Sequence, residues 1–263
     1  MNDSMRILVT FALETEFAPW RAMHSFAAEN WGSVEVLAAE ISGARIGVLL
    51  TGAGPKQASL RTADAILRAP DSIDVCISSG LAGALKDSYG IAQVLVAKSV
   101  FSEAFHPELA GKILSSSDAL VSFAGECSAT VVDQFYSAQH AISTAEEKKH
   151  LGKLADAVEM ESFEVMFQAF LRGIPSIAIR SISDLANEDL PLDMDGVFSD
   201  EGQVSIPRVI GQVAAHPAAI PGLIRLAEQS KQASQSLAAF LNRYISVLAS
   251  RAASLSTSAA AGQ

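Results

Sequence analysis

Cysteine, histidine and basic side chains are all scarce in this 263-residue chain, and each shortage excludes a class of function. There are two cysteines, Cys76 and Cys127, and five histidines. Two cysteines make no disulfide framework, and neither they nor His24, His106, His140, His150 and His216 show the spacing of a metal site. Cys76 sits in the apolar run IDVCISSG and reads as an inert core thiol. Lys and Arg number 19 against 29 Asp and Glu, a net charge of −10. Such a chain repels polyphosphate, so no nucleic-acid partner is expected, while an uncharged nucleoside remains admissible. No basic segment followed by a long apolar run opens the sequence, and no apolar run approaches the length of a membrane span, so a soluble, cytoplasmic protein is expected. Charged residues are 18% and hydrophobic ones 49%, a composition that builds a core and does not stay disordered.

What is present is an alternation of short apolar runs with helical periodicities. RILVTFAL (6–13), ARIGVLLTG (44–52), IDVCISSG (73–80), QVLVAKSV (93–100), SATVVDQF (128–135) and PSIAIRSISD (175–184) read as strands. The segment from Pro55 has proline at a helix start and apolar residues at helical spacing, and 221–251 reads as one or two amphipathic helices. Strands apolar on both faces and separated by helices predict an α/β fold, a mostly parallel sheet covered by helices. No linker or repeat divides the chain, so one domain over 1–253 is expected, with an Ala/Ser-rich frayed tail at 254–263.

Acidic residues cluster at three strand ends. AVEMESFEVMFQAFLRG (157–173) places Glu159, Met160 and Glu161 between an apolar strand and a helix whose stripe is Phe163, Met166, Phe167, Phe170 and Leu171. Alone, Glu161 reads as a charged first helical turn, favoured there by the helix dipole. Asp184 ends RSISD, where it is either a cap or a catalytic acid, since ligands of parallel sheets gather at the carboxyl ends of strands. Glu14 and Glu16 follow the first strand, and one of them can be a solvated helix start. Together these sites fit chemistry that needs an acid, a base and a hydroxyl-binding carboxylate.

The glycine stretches TGAGPKQAS and SSGLAGAL carry neither a complete dinucleotide fingerprint, a P-loop nor a nucleophile elbow; they read as turns that let backbone approach a small ligand. DLPLDMDG lacks a calcium ligand at Val197, and His106 reads as a loop histidine.

LVTFALETEF, LLTGAGPKQAS, CISSGLAGAL, AVEMES and AIRSISD occur in an order and spacing that resemble the nucleoside phosphorylase superfamily, in particular the nucleosidases that hydrolyse 5′-methylthioadenosine and S-adenosylhomocysteine. The resemblance covers roughly Arg6 to Asn187. It implies a three-layer phosphorylase/hydrolase-like fold with a mostly parallel or mixed central sheet, no cofactor and no metal, and a homo-oligomer. It also implies roles. Asp184 would be the acid toward purine N7, and Glu16 would position the attacking water. Glu161 would hold the ribose hydroxyls with Met160 against the sugar. Gly83 and Ala82 would belong to a turn beside base and sugar, with Glu159 completing the substrate contacts. Where the nucleosidases stack an aromatic on the purine, Ala141 or Ile142 stands here, and Leu81 replaces a polar residue.

Physical chemistry fits those roles. Cleavage of an N-glycosidic bond passes through an oxocarbenium-like state that anionic groups stabilise, and adenine leaves once N7 is protonated. Such an acid needs a raised pKa, which burial can supply. No arginine follows the first strand to hold phosphate, so water is the expected nucleophile; Arg180 can be a structural partner. A purine nucleoside phosphorylase is the alternative. So is an adenosylhopane-cleaving enzyme, since 188–230 resembles the tail of hopanoid-associated members, and so is a nucleoside-binding relative without turnover.

Overall fold

The structure, a computed structural model, describes residues 4–103, 112–199 and 201–251. His106 and the 254–263 tail lie outside them. The first strand, β1 (Arg6–Phe11), is buried at every position after Arg6 and leads into α1 (Glu14–Arg21). A meander follows: β2 (Ala27–Trp31), β3 (Val34–Ile41) and β4 (Ala44–Leu50). Its second turn is two residues, Ser42 and Gly43, both at positive φ (53° and 83°), the twist that a tight hairpin requires. Next come α2 (Pro55–Arg68), β5 (Val75–Ala84), β6 (Val94–Phe101), β7 (Ile113–Ser115), α3 (Asp118–Glu126) and β8 (Thr130–Ser137). The chain continues through α4 (Ala145–Leu151), β9 (Ala157–Glu159), α5 (Ser162–Phe170) and β10 (Ser176–Asp184) to α6 (Ile206–Ala215) and α7 (Ile220–Ser250).

The sheet is mixed. β1 lies between β4 and β5, parallel to both; β10 runs parallel to β5 and antiparallel to β6. β6 and β8 are parallel, β8 and β9 are parallel, and β9 returns antiparallel to the end of β5. Strands β5, β10, β6, β8 and β9 thus close on one another, and the β1–β4 part extends from β5 as an open sheet. The carboxyl ends of β1, β8, β9 and β10 meet at the seam of the closed part.

Helices cover both faces. On one side α7 packs along α1, α3 and β10, with Leu237, Phe240, Leu241, Tyr244, Ile245 and Leu248 buried at helical spacing. Trp20, Phe11, Phe17 and Phe26 form a ring cluster beside it, with Phe17 and Phe26 centroids 5.0 Å apart, edge to face. On the other side α2 and α5 pack together over β3, β4 and β5. No described helix is long and apolar enough to cross a membrane.

Two sequence expectations need correction, and one open alternative is resolved. The SSGLAGAL glycines form no turn: Gly80 and Gly83 lie inside β5, because that strand is paired by β10 along its length and by β9 at its end. In α5 the buried positions are Phe163, Val165, Met166 and Ala169, whereas Phe170 and Leu171 stand at the helix end and are exposed. The segment 221–251, expected as one or two amphipathic helices, lies in the single helix α7 up to Ser250.

Leu241 is wholly buried at the centre of the α7 face. Leu241→Ala is expected to cost about 2–5 kcal/mol, from lost burial plus an unfilled cavity. The midpoint of chemical denaturation checks this; a shift equivalent to under about 1 kcal/mol would mean that α7 is not part of the cooperative core.

Candidate active site

The carboxylates reach one cavity because of how their strands end. Between Ile182 and Asp184 the register of β10 against β5 shifts, so Ser183 is a bulge and Asp184 sits opposite Gly83. A bulge re-aims the next side chain, here toward the cavity. A Cβ on Gly83 would lie 2.7 Å from Asp184 Oδ2, so only glycine leaves room for the acid. A Cβ on Gly80 would lie 3.3 Å from the Glu16 carboxylate, a tight contact.

Asp184 is buried and doubly held. The Ser183 hydroxyl donates to Oδ1 at 2.9 Å, and Lys148 Nζ donates to Oδ2 at 2.6 Å. Lys148 is itself fully buried. The sequence reading gave the task of conditioning this acid to burial alone; burial here acts on an ion pair.

Glu16 and Glu14 part company. Glu14 is exposed and pairs with Arg21 at 2.8 Å, the solvated helix start. Glu16 turns inward: its Oε2 accepts from Ala12 N (3.0 Å) and Leu13 N (3.2 Å), and its Oε1 from Leu81 N (3.4 Å). Burial raises its pKa, while the Arg180 charge and these N–H groups draw it back.

Glu159 and Glu161 straddle the start of α5. Glu159 Oε2 accepts from Arg180 Nη2 at 2.5 Å and from the backbone N–H of Glu161 (3.0 Å) and Ser162 (2.7 Å). Its other oxygen, Oε1, is buried without a hydrogen-bond partner. Glu161 Oε1 accepts from Gly54 N at 2.8 Å, in the turn where Gly52 and Gly54 take φ of 79° and 95°. Burial, then the charge of Glu159, pushes the Glu161 pKa up to about 7, with Arg180 and Gly54 N–H opposing. Arg180 is committed to Glu159, Ser78 Oγ (3.2 Å) and the Ile179 carbonyl (3.0 Å), the structural partner that the sequence allowed.

All eight sequence-selected residues line one cavity of about 170 Å³: Glu16, Ala82, Gly83, Ile142, Glu159, Met160, Glu161 and Asp184. Sequence reasoning missed others on its walls, notably His140, Leu190, Met194 and Phe198, and it missed Lys148 behind Asp184. Leu190, Met194 and Phe198 belong to a strap that leaves β10, crosses the cavity and lands on the β4 turn, where Ala53 N donates to Gly202 O at 2.8 Å. Asp189 and Asp195 of the strap accept from Ala145 N and Ala141 N (2.7 and 2.8 Å), so the loop that suggested calcium serves as a backbone clasp.

Residues 128–215, which carry β8, β9, β10 and most of the strap, match the family model of the phosphorylase superfamily. The chain is 27% identical over 222 residues to the 5′-methylthioadenosine/S-adenosylhomocysteine nucleosidase of Shewanella oneidensis, covering 75% of this chain and 92% of that one. Among solved structures it shares its fold with the nucleosidase of the same name from Helicobacter pylori, bound to butyl-thio-DADMe-Immucillin-A, at TM-score 0.72 and 21% identity over 93% of this chain and 99% of that one. The futalosine hydrolase of the same organism superposes at TM-score 0.71 and 20% identity, over 93% and 99% of the two chains. In this chain the site is shared between β1, α1, the β4 turn and β5 on one side and the segment 128–215 on the other.

The raised pKa of Glu161 sets a pH dependence. Between the ordinary carboxylate value of 4.5 and about 7, the folded protein binds a proton that the unfolded chain has released. Stability of the ligand-free protein therefore falls as pH rises through that window. The melting temperature is expected to drop from pH 5 to pH 8, and Glu161→Gln, which cannot ionise, should drop less. Parallel melting curves for the two proteins across this range would refute the assignment.

Proposed function

We propose that this chain is a member of the phosphorylase superfamily that hydrolyses the N-glycosidic bond of an adenine nucleoside of the 5′-methylthioadenosine/S-adenosylhomocysteine kind and releases adenine. The observation that carries the reading is the convergence of Asp184, Glu16 and Glu161 from three strand ends on one cavity. As the C1′–N9 bond breaks, its electron pair passes into the purine and Asp184 gives N7 a proton. Water adds at C1′ and gives its proton to Glu16. Glu161, with the unpartnered Oε1 of Glu159 beside it, accepts the ribose hydroxyls. Both carboxylates then lie near the sugar as positive charge develops on it. Met160 packs on the sugar, while Ala82 and Gly83 bring the β5 backbone alongside the base. Ile142, Leu190, Met194 and Phe198 offer apolar surface to the base and to an apolar 5′ substituent.

Water is favoured over phosphate by the state of the anion-binding groups. Arg180 is paired with Glu159. In the β4 turn, Ala53 N already serves Gly202 O and Gly54 N serves Glu161. Glu16 adds negative charge where phosphate would enter. By resemblance to the nucleosidases we read the chain as one domain working in a homo-oligomer.

Adenine release from methylthioadenosine and S-adenosylhomocysteine, assayed with and without phosphate, tests the reading. Release is expected without phosphate and should fall by about 10²–10⁴-fold in Asp184→Asn, the range of a positioned acid. Release that requires phosphate, or an Asp184→Asn enzyme of full activity, would overturn it. Gly83→Ala should lower turnover by about 10²-fold, because a methyl group displaces the acid by a fraction of an ångström to an ångström. Its turnover and melting curve are read together. A folded Gly83→Ala enzyme with wild-type turnover would show that the position of Asp184 is not critical.

A further inference from the structure

We propose that Lys148 is a positioning residue for Asp184, holding the carboxylate in line with the purine and stabilising the charge left on it when the proton moves to N7. The inference rests on the reading of Asp184 as the acid. Lys148 stands in the charged run EEKKH of α4, whose neighbours Lys149 and His150 are exposed, yet its own side chain is wholly buried. Its ammonium has three N–H donors, and three acceptors meet them: Asp184 Oδ2 at 2.6 Å, the Leu185 carbonyl at 2.9 Å and the Glu188 carbonyl at 2.9 Å. Two of the three lie on the strap just beyond the acid. With Ser183 on Oδ1, both carboxylate oxygens are held, and Gly83 leaves the space in front.

The helix that delivers this lysine is itself pinned at its start. Thr144 and Glu147 form a reciprocal capping box, and Asp189 accepts from Ala145 N. A buried ion pair of this kind is no better for stability than apolar side chains of the same volume. Stability alone therefore does not account for a cation here. The reaction does. Before transfer, the proton sits on the acid; afterwards, the carboxylate is a full anion in a poorly solvated wall. A fixed ammonium at 2.6 Å favours the later state, so its effect is felt where charge appears and not where substrate binds.

A double-mutant cycle tests this on methylthioadenosine without phosphate. The proteins are wild type, Lys148→Met, Asp184→Asn and the double variant, each with kcat and KM measured. Lys148→Met is expected to lower kcat by about 10–10²-fold with KM within about threefold, the split that marks loss of a transition-state interaction. In the Asp184→Asn background the same change should cost under about threefold, since the group it acts through is gone. Lys148→Arg, which keeps the cation, should recover part of the loss. Wild-type kcat in Lys148→Met, or an equal loss in both backgrounds, would overturn the proposal; equal losses would mark a lysine that only holds the strap. An Asp184→Asn enzyme of full activity would instead overturn the parent reading. If circular dichroism shows Lys148→Met to be unfolded, Lys148→Gln takes its place in the same cycle with the same expected and contrary results.

Discussion

Arg180 is the group on which the other buried charges depend. It lies inside β10, covered by helices on both faces, and its guanidinium binds Glu159 at 2.5 Å and comes within 3.9 Å of Glu161. Glu159 and Glu16 lie close enough to Glu161 to raise its proton affinity. Without a cation among them, burying that much negative charge would cost more than a fold of this size can spare. With it, Glu159 is fixed, its N–H acceptors set the entry to α5, and Glu161 is aimed at the Gly54 turn. A second buried cation, Lys148, is paired with Asp184 on the other side of the cavity.

Much of this was legible in the sequence. Apolar runs marked β1, β4, β5, β6, β8 and β10, because strands buried on both faces read as continuous hydrophobic stretches. The meander strands β2 and β3 did not: Ala27–Trp31 is mostly exposed and carries no such run, although the Ser42–Gly43 pair was a usable hairpin signal. The acidic site residues were found because each follows an apolar run at its carboxyl end.

Lys148 was hidden for the opposite reason. EEKKH reads as a solvated helix, and only the tertiary fold shows that one position in it turns inward. The apolar strap residues Leu190, Met194 and Phe198 were hidden by their setting in a polar, Asp- and Pro-rich segment whose conformation is set by clasps to distant backbone, Ala141, Ala145 and Ala53. Resemblance pointed to Ala141 or Ile142 where an aromatic was wanted. The phenyl ring that lines the cavity, Phe198, comes from 56 residues beyond Ile142 and by a different element.

The two glycines inside β5 carry a wider consequence. A mid-strand glycine ordinarily weakens a sheet, and here two occur three residues apart in a strand paired by β1, β10 and β9. Each is the imprint of a carboxylate: the sheet is a mould with two missing methyl groups, one cast around Glu16 and one around Asp184. Strand glycine and strand-end acid are then halves of one feature. A homologous chain that fills either hollow with a side chain must also have given up, or moved, the acid that occupies it.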